Sequence, residues 1–148
     1  MTHVRPLRGV GFRPLVALIV PVLAATSLLA ADKVEKPKLS LRANPSVGFS
    51  PARVVVTAEL KGGPNDYEDY YCATVEWQWG DETISENTYD CDPYEAGKSE
   101  MRRRFVTEHV FRTAGTYQVE FRLKRKDKVL AVARTTVQIR PGVRDIGQ

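Results

Sequence analysis

From Tyr117 to Leu123 apolar and polar residues alternate strictly, Tyr, Val, Phe and Leu against Gln, Glu and Arg. A period of two sends every second side chain to the same face, so this stretch is predicted to be a half-buried strand. The same alternation marks Val75-Glu76-Trp77-Gln78-Trp79, which carries two tryptophans on one face and ends in a Gly80-Asp81 turn. It also marks Leu39 to Ala43 and the β-branched run Val54 to Leu60, with Val54, Val56, Ala58 and Leu60 on one side. Thr83 to Tyr89, Met101 to Phe111 and Val129 to Ile139 complete the set. Clusters rich in Gly, Pro, Asn and Asp separate these runs, at Asn44 to Pro51, Lys61 to Asp66, Asp90 to Lys98 and Pro141-Gly142. No stretch supports a helix of three turns. About seven short strands at spacings near ten residues predict an all-β sandwich rather than a barrel.

Two motifs sharpen this. Residues 77–82 read Trp-Gln-Trp-Gly-Asp-Glu, and residues 109–119 read His-Val-Phe-Arg-Thr-Ala-Gly-Thr-Tyr-Gln-Val. Together they resemble the PKD (polycystic kidney disease) domain family, whose pattern runs roughly W-D-F-G-D-G and then H-x-Y-x-x-x-G-x-Y-x-V. The match falls on Trp77, Trp79, Gly80, Asp81, His109, Phe111, Gly115, Tyr117 and Val119. The sequence departs from the pattern at Gln78 and at Glu82, where the family prefers Gly. The resemblance implies an immunoglobulin-like β-sandwich over residues 38–140, acting as a non-catalytic module in extracellular or cell-envelope proteins. Gly115 is expected to occupy a tight turn with positive φ just before Tyr117.

The N-terminus reads as a targeting segment. Arg5, Arg8 and Arg13 precede an apolar run from Leu15 to Ala25, and small residues close it. That is the pattern of a cleaved signal peptide, assigned to residues 1–30, with an uncleaved anchor as the alternative. Residues 31–37 are expected to be a linker, and residues 141–148 a tail. With the signal removed, no stable membrane span is expected. Net charge is +4, of which three charges leave with the signal, so there is no charge argument for nucleic acid. The distribution says more: residues 65–100 hold 11 acidic and 1 basic side chain, whereas residues 101–148 hold 12 basic and 4 acidic.

Catalytic signatures are missing from the pattern. One of the two histidines, His3, belongs to the signal, and the other, His109, is expected to be a structural residue hydrogen-bonded to a loop carbonyl rather than a catalytic base. There is no HExxH, phosphate loop, GxSxG or CxxC. The chain reads as a non-enzyme with no cofactor.

Cys72 and Cys91 are expected to form one disulfide in an exported chain. Register points the same way: a turn over Gly80 to Thr83 puts Trp79 opposite Ile84, Trp77 opposite Glu86 and Val75 opposite Thr88, and carried outward puts Cys72 opposite Cys91. The bridge would draw together two loops rich in acidic and tyrosine residues. Asp66, Tyr67, Asp69, Tyr70, Tyr71, Asp92 and Tyr94 form the candidate binding surface, since Tyr offers a large rigid contact with a polar tip. The alternative for those rings is that they cover the end of the sandwich. Carboxylates at Asp66, Asp69, Asp90 and Asp92 leave a weaker calcium reading open. A second surface is the basic one, Arg102, Arg103, Arg104, Arg122, Lys124, Arg125, Lys126 and Lys128. It is either a solvated outer face that protects an edge or a contact for an anionic polymer or lipid surface. The expected function is an exported binding module for a protein or polysaccharide, with a purely structural envelope component as the alternative.

Overall fold

In a computed structural model the described residues are 34–143, and the expected signal peptide lies outside them. Among these residues there are eight strands, one 3-10 turn at Glu68–Tyr70 and no α-helix. The strands are β1 (Lys38–Asn44), β2 (Val47–Phe49), β3 (Ala52–Lys61), β4 (Thr74–Gln78), β5 (Ile84–Asn87), β6 (Arg104–Phe111), β7 (Gly115–Arg125) and β8 (Lys128–Arg140). They form two sheets, in the orders β1-β3-β6 and β2-β8-β7-β4-β5. A three-stranded sheet facing a larger one built around β8, β7 and β4 is the immunoglobulin-like arrangement that the sequence motifs implied.

The period-two pattern sets the inner faces. Val54, Val56, Ala58 and Leu60 on β3 are buried against Val75 and Trp77 of β4, Trp79 just beyond it, and Tyr117, Val119, Phe121 and Leu123 of β7. Trp77 lies stacked on Trp79 at 5.8 Å and tilted against Phe121 at 4.4 Å, which makes the aromatic centre of the core. Replacing a polar position by an apolar one along any of these strands would break the alternation, not merely add a contact.

Four expectations need correction. Asn44 to Pro51 is not wholly loop: Val47–Phe49 form the short strand β2, parallel to β8 and pairing with Gln138–Arg140. Three residues between prolines are too few to show a period. Gly115 is not a positive-φ turn residue but the first residue of β7. Its missing side chain leaves room for the Tyr117 ring instead, because a Cβ there would lie 3.3 Å from Cζ of that tyrosine. Tyr117 then turns its hydroxyl back to the Thr113 carbonyl at 2.8 Å, the corner that immunoglobulin-like folds use to brace a strand entry.

The third correction is the β4–β5 register. Val75 pairs with Asn87, Trp77 with Ser85 and Gln78 with Ile84, one residue out from the expected pairing. A shift of one flips every side chain. Ile84 and Glu86 therefore face outward, and Ser85 faces inward, where its Oγ accepts a 3.0 Å hydrogen bond from the Trp79 indole N–H. Fourth, His109 bonds no loop carbonyl. Its Nε2–H donates to Oδ2 of Asp81 at 2.7 Å while its ring stacks on Trp79 at 4.4 Å. The carboxylate ties the Gly80-Asp81 turn to β6.

Candidate functional site

The antiparallel pairings put the connections 62–73 and 88–103 at the same end of the sandwich. Cys72 and Cys91 join them in a disulfide, with Cα atoms 6.1 Å apart. The pairing is the expected one although the ladder is shifted. Carried outward, the observed register would set Cys72 against Asp90. The strand has ended by Asn87, however, and Cys72 takes a φ of +52°, so both segments are free to bring the sulfur atoms together.

The two loops lock together reciprocally. Tyr71 donates its hydroxyl to the Asp92 carbonyl at 3.0 Å, and Tyr94 donates its own to the Asp66 carbonyl at 2.7 Å. The two rings lie 5.6 Å apart. The Asp66 carboxylate accepts the Gly97 N–H at 3.0 Å. Arg103, expected on a basic surface, serves these loops from below. Its guanidinium donates to the carbonyls of Gly62 and Gly63 at 3.0 and 2.9 Å and to Oδ1 of Asn65 at 2.7 Å. A planar fork with five donors suits this work, and a lysine could not satisfy so many acceptors at once.

The candidate surface residues separate accordingly. Tyr70 is buried in the core beside Tyr67, at 5.0 Å. Burial and the neighbouring Asp69 charge push its hydroxyl pKa up. Tyr67, Tyr71 and Tyr94 are half-buried, and Asp69 and Asp92 are exposed. Val34, Asp66, Tyr67, Asp69 and Tyr94 line a hollow of about 430 Å³. Among the described residues no three or more His, Cys, Asp or Glu side chains gather as a metal site, Asp66, Asp69, Asp90 and Asp92 included. Their positions on separate loop segments, with Asp66 already bonded to Gly97, account for this.

Of the basic residues, few remain unengaged. Lys124 bonds Glu76 at 2.7 Å and Glu86 at 3.0 Å, Arg122 bonds Glu120 and reaches Glu76 at 3.4 Å, and Arg134 closes the row on Glu120. These pairs form a ladder of alternating charge across the outer face of β5, β4, β7 and β8. The hydrogen bond from Lys124 is the chief reason that the Glu76 carboxyl is held below the usual range. Burial alone would raise Glu120, but the bonds from Arg122 and Arg134 outweigh it and hold that group low as well. Arg125 donates to the Glu68 carbonyl, which adds one more strap to the loop end.

Sequence reasoning missed Tyr89, Glu100 and Phe105. With Tyr71 and the disulfide they line a cavity of about 250 Å³ between the start of β6 and the segment leading into β4. The signal was present in Phe105, whose parity on β6 turns it inward. Tyr89 had been placed on a strand that in fact ends at Asn87. Segment 34–37, expected to be linker, lies on the domain: Pro37 is buried, and Lys36 donates to the Leu130 carbonyl at 3.0 Å.

No protein-family model matches the sequence, and no curated protein matches it. Among solved structures, the chain is similar to the PKD domain of an M14-like peptidase from a Thermoplasmatales archaeon, at 14% identity and a TM-score of 0.49, over 74% of this chain and 100% of that one. It is similar to a putative membrane anchored protein from Corynebacterium diphtheriae, also at 14% identity and 0.49, over 70% of this chain and 21% of that one. A third likeness is to the CARDB domain of a Pyrococcus furiosus protein, solved in complex with di-metal ions, at 11% identity and a TM-score of 0.43, over 72% and 94% of the two chains.

Proposed function

We propose that the chain is an exported, non-catalytic binding module. It recognises a protein or polysaccharide at the cell envelope or outside the cell, through the end of the sandwich formed by loops 62–73 and 88–103. The observation that carries this reading is the reciprocal lock of Tyr71 on Asp92 and Tyr94 on Asp66 beside the Cys72–Cys91 bridge. A connection as long as 88–103 without regular structure is uncommon in a compact domain and is usually kept for function. Here it is held in one conformation before any partner arrives, which lowers the ordering cost of binding. A disulfide of this kind supports an oxidising compartment, in keeping with the signal-like N-terminus.

The test is co-sedimentation of the exported protein with the cell-envelope fraction, comparing wild type with a Cys72→Ser, Cys91→Ser double variant. Loss of sedimentation in a variant that is still folded is the expected result. Equal sedimentation of both would remove the loop end as the recognition surface.

A second reading has its own observation. The chain enters at the loop end, where Val34 lies beside Tyr67 and Tyr94, and β8 leaves at the opposite end, where Ser50 N–H bonds the Arg140 carbonyl at 3.0 Å. Entry and exit at opposite poles suit a structural spacer, and that reading gains if the double variant keeps its envelope association.

A further inference from the structure

The cavity at the loop end has an aromatic and sulfur-lined floor, made by Tyr71, Tyr89, Phe105 and the disulfide. A neighbouring hollow shares Tyr71 and Glu100 with it and continues past Asp92 and Pro93, so the two make one groove. The rim is negative on balance: three carboxylates, Asp90, Asp92 and Glu100, stand against one guanidinium, that of Arg102, which also lines the cavity. Among the described residues the side chains of Asp90, Asp92 and Glu100 enter no ion pair and no hydrogen bond, and each is exposed. Of the cations that line the two hollows, Lys98 pairs with Glu95 at 2.6 Å, and the Arg102 guanidinium lies over the Tyr89 ring at 4.8 Å.

We infer that this groove takes a cationic peptide segment of a partner protein. One apolar or aromatic side chain of that segment sits against Tyr89 and Phe105, and Lys or Arg on either side meets Asp90, Asp92 and Glu100. The inference rests on the reading of the loop end as a recognition surface and names its partner class. Charge complementarity selects the occupant. An anionic polymer or lipid surface is repelled by the rim. A small aromatic hollow ringed by polar residues is the anatomy of a side-chain anchor in a protein interface.

The experiment uses the exported protein with its disulfide intact, titrated calorimetrically with a synthetic peptide carrying one phenylalanine between pairs of lysines. The comparison probes are the same peptide with alanine for phenylalanine, one with glutamate for lysine, and a glucosamine oligosaccharide. Expected is saturable binding that weakens at raised salt, weakens roughly tenfold or more without the phenylalanine, and is not seen with the glutamate peptide. Asp90→Lys with Glu100→Lys, both exposed, should weaken it at least about tenfold with an unchanged melting temperature. No binding at millimolar peptide, or binding indifferent to this charge reversal, overturns the inference. A preference for the glucosamine oligomer that the same variant abolishes overturns the peptide class but leaves the loop end as a recognition surface. The envelope sedimentation assay separates the two readings further. If the cysteine double variant loses the envelope while the charge-reversed protein keeps it, the groove fails and the proposed function stands. If both keep it, both fail.

Discussion

The backbone N–H of Trp79 donates to the carbonyl of Thr83 at 3.1 Å and closes a loop of three residues, Gly80, Asp81 and Glu82. Gly80 takes φ +79° and Glu82 φ +69°, so two of the three lie in the left-handed region. Three-residue hairpins commonly place such a residue last, and glycine there costs nothing.

Glu82 is the position at which the sequence motif would have carried Gly. Glu82→Gly is expected to raise stability by about 0.5–1 kcal/mol, since a left-handed conformation is strained for a residue with a Cβ. Gly80→Ala should act oppositely and strongly, because its Cβ would lie 2.8 Å from the Gln118 carbonyl oxygen and 2.9 Å from the Gln118 nitrogen, both backbone. A loss well above about 1 kcal/mol is expected. Urea denaturation of the two variants checks both signs, and a destabilised Glu82→Gly protein would mean that the loop is not strained.

Gly115 and Tyr117 make a contrasting pair. With no left-handed backbone to support, Gly115→Ala should cost less than about 1 kcal/mol, the Tyr117 ring giving by a few tenths of an ångström. Tyr117→Phe removes the bond to the Thr113 carbonyl and should cost about 1 kcal/mol. Thermal melts that rank the two the other way round would place the brace in the glycine.

The lowered carboxyls of Glu76, Asp81 and Glu120 set an acid limit. At Asp81 burial pushes upward, but hydrogen bonds from Thr83 and from His109 outweigh it. A carboxyl whose folded pKa lies below its unfolded value contributes stability above the unfolded value and loses it as pH falls through the folded one. The melting temperature should therefore stay level, as far as these three groups determine it, from neutral pH down to about pH 5 and fall below about pH 4. Glu76→Gln with Glu120→Gln should flatten that fall, which circular dichroism melts across the range would show.

The disulfide should contribute about 3 kcal/mol, on the entropy of the loop it closes. The Cys72→Ser, Cys91→Ser protein is expected to fold, because the Trp77 and Trp79 core does not depend on the bridge, but to melt earlier. Proteolysis should cut it first within 88–103, and mass spectrometry of the digest locates the cut. Cleavage elsewhere would show that the tyrosine bonds alone suffice to hold the loops.

The sandwich was legible because its signals are local: alternation on β3, β4 and β7, and breakers between them. What escaped depends on pairs of backbone angles that the residue types do not announce. A glutamate at +69° shortened the hairpin loop by one residue and turned Ile84 from an expected partner of Trp79 into an exposed side chain. Cys72 and Cys91 were paired rightly, yet the register offered in support was one residue out, and the irregular chain beyond Asn87 absorbed the difference. The candidate surface was legible as two loops but not as a list of exposed residues. Tyr70 and Arg103 turn inward to hold the loops in place, and neither composition nor parity marks them for that work. The separation of acidic and basic blocks along the chain also misled. β4 and β5 from the acidic block lie beside β7 from the basic one, so Glu76 and Glu86 are answered there by Arg122 and Lys124 on a single face.

The short strand β2 has a mechanical consequence. It runs parallel to β8, its pairing extended by the bonds of Gln138 N–H to Ser46 and of Ser50 N–H to Arg140. The Gly142 N–H adds a 3.0 Å bond to Oγ of Ser50. The chain comes in at one pole and goes out at the other, so tension applied to its two ends pulls β1 and β8 along their own axes in opposite directions. The hydrogen bonds that join β8 to β2, which follows β1 in the chain, are then strained together, in shear, instead of opening one after another as a peeled hairpin does. A domain wired in this way resists stretching along the line that joins its two poles.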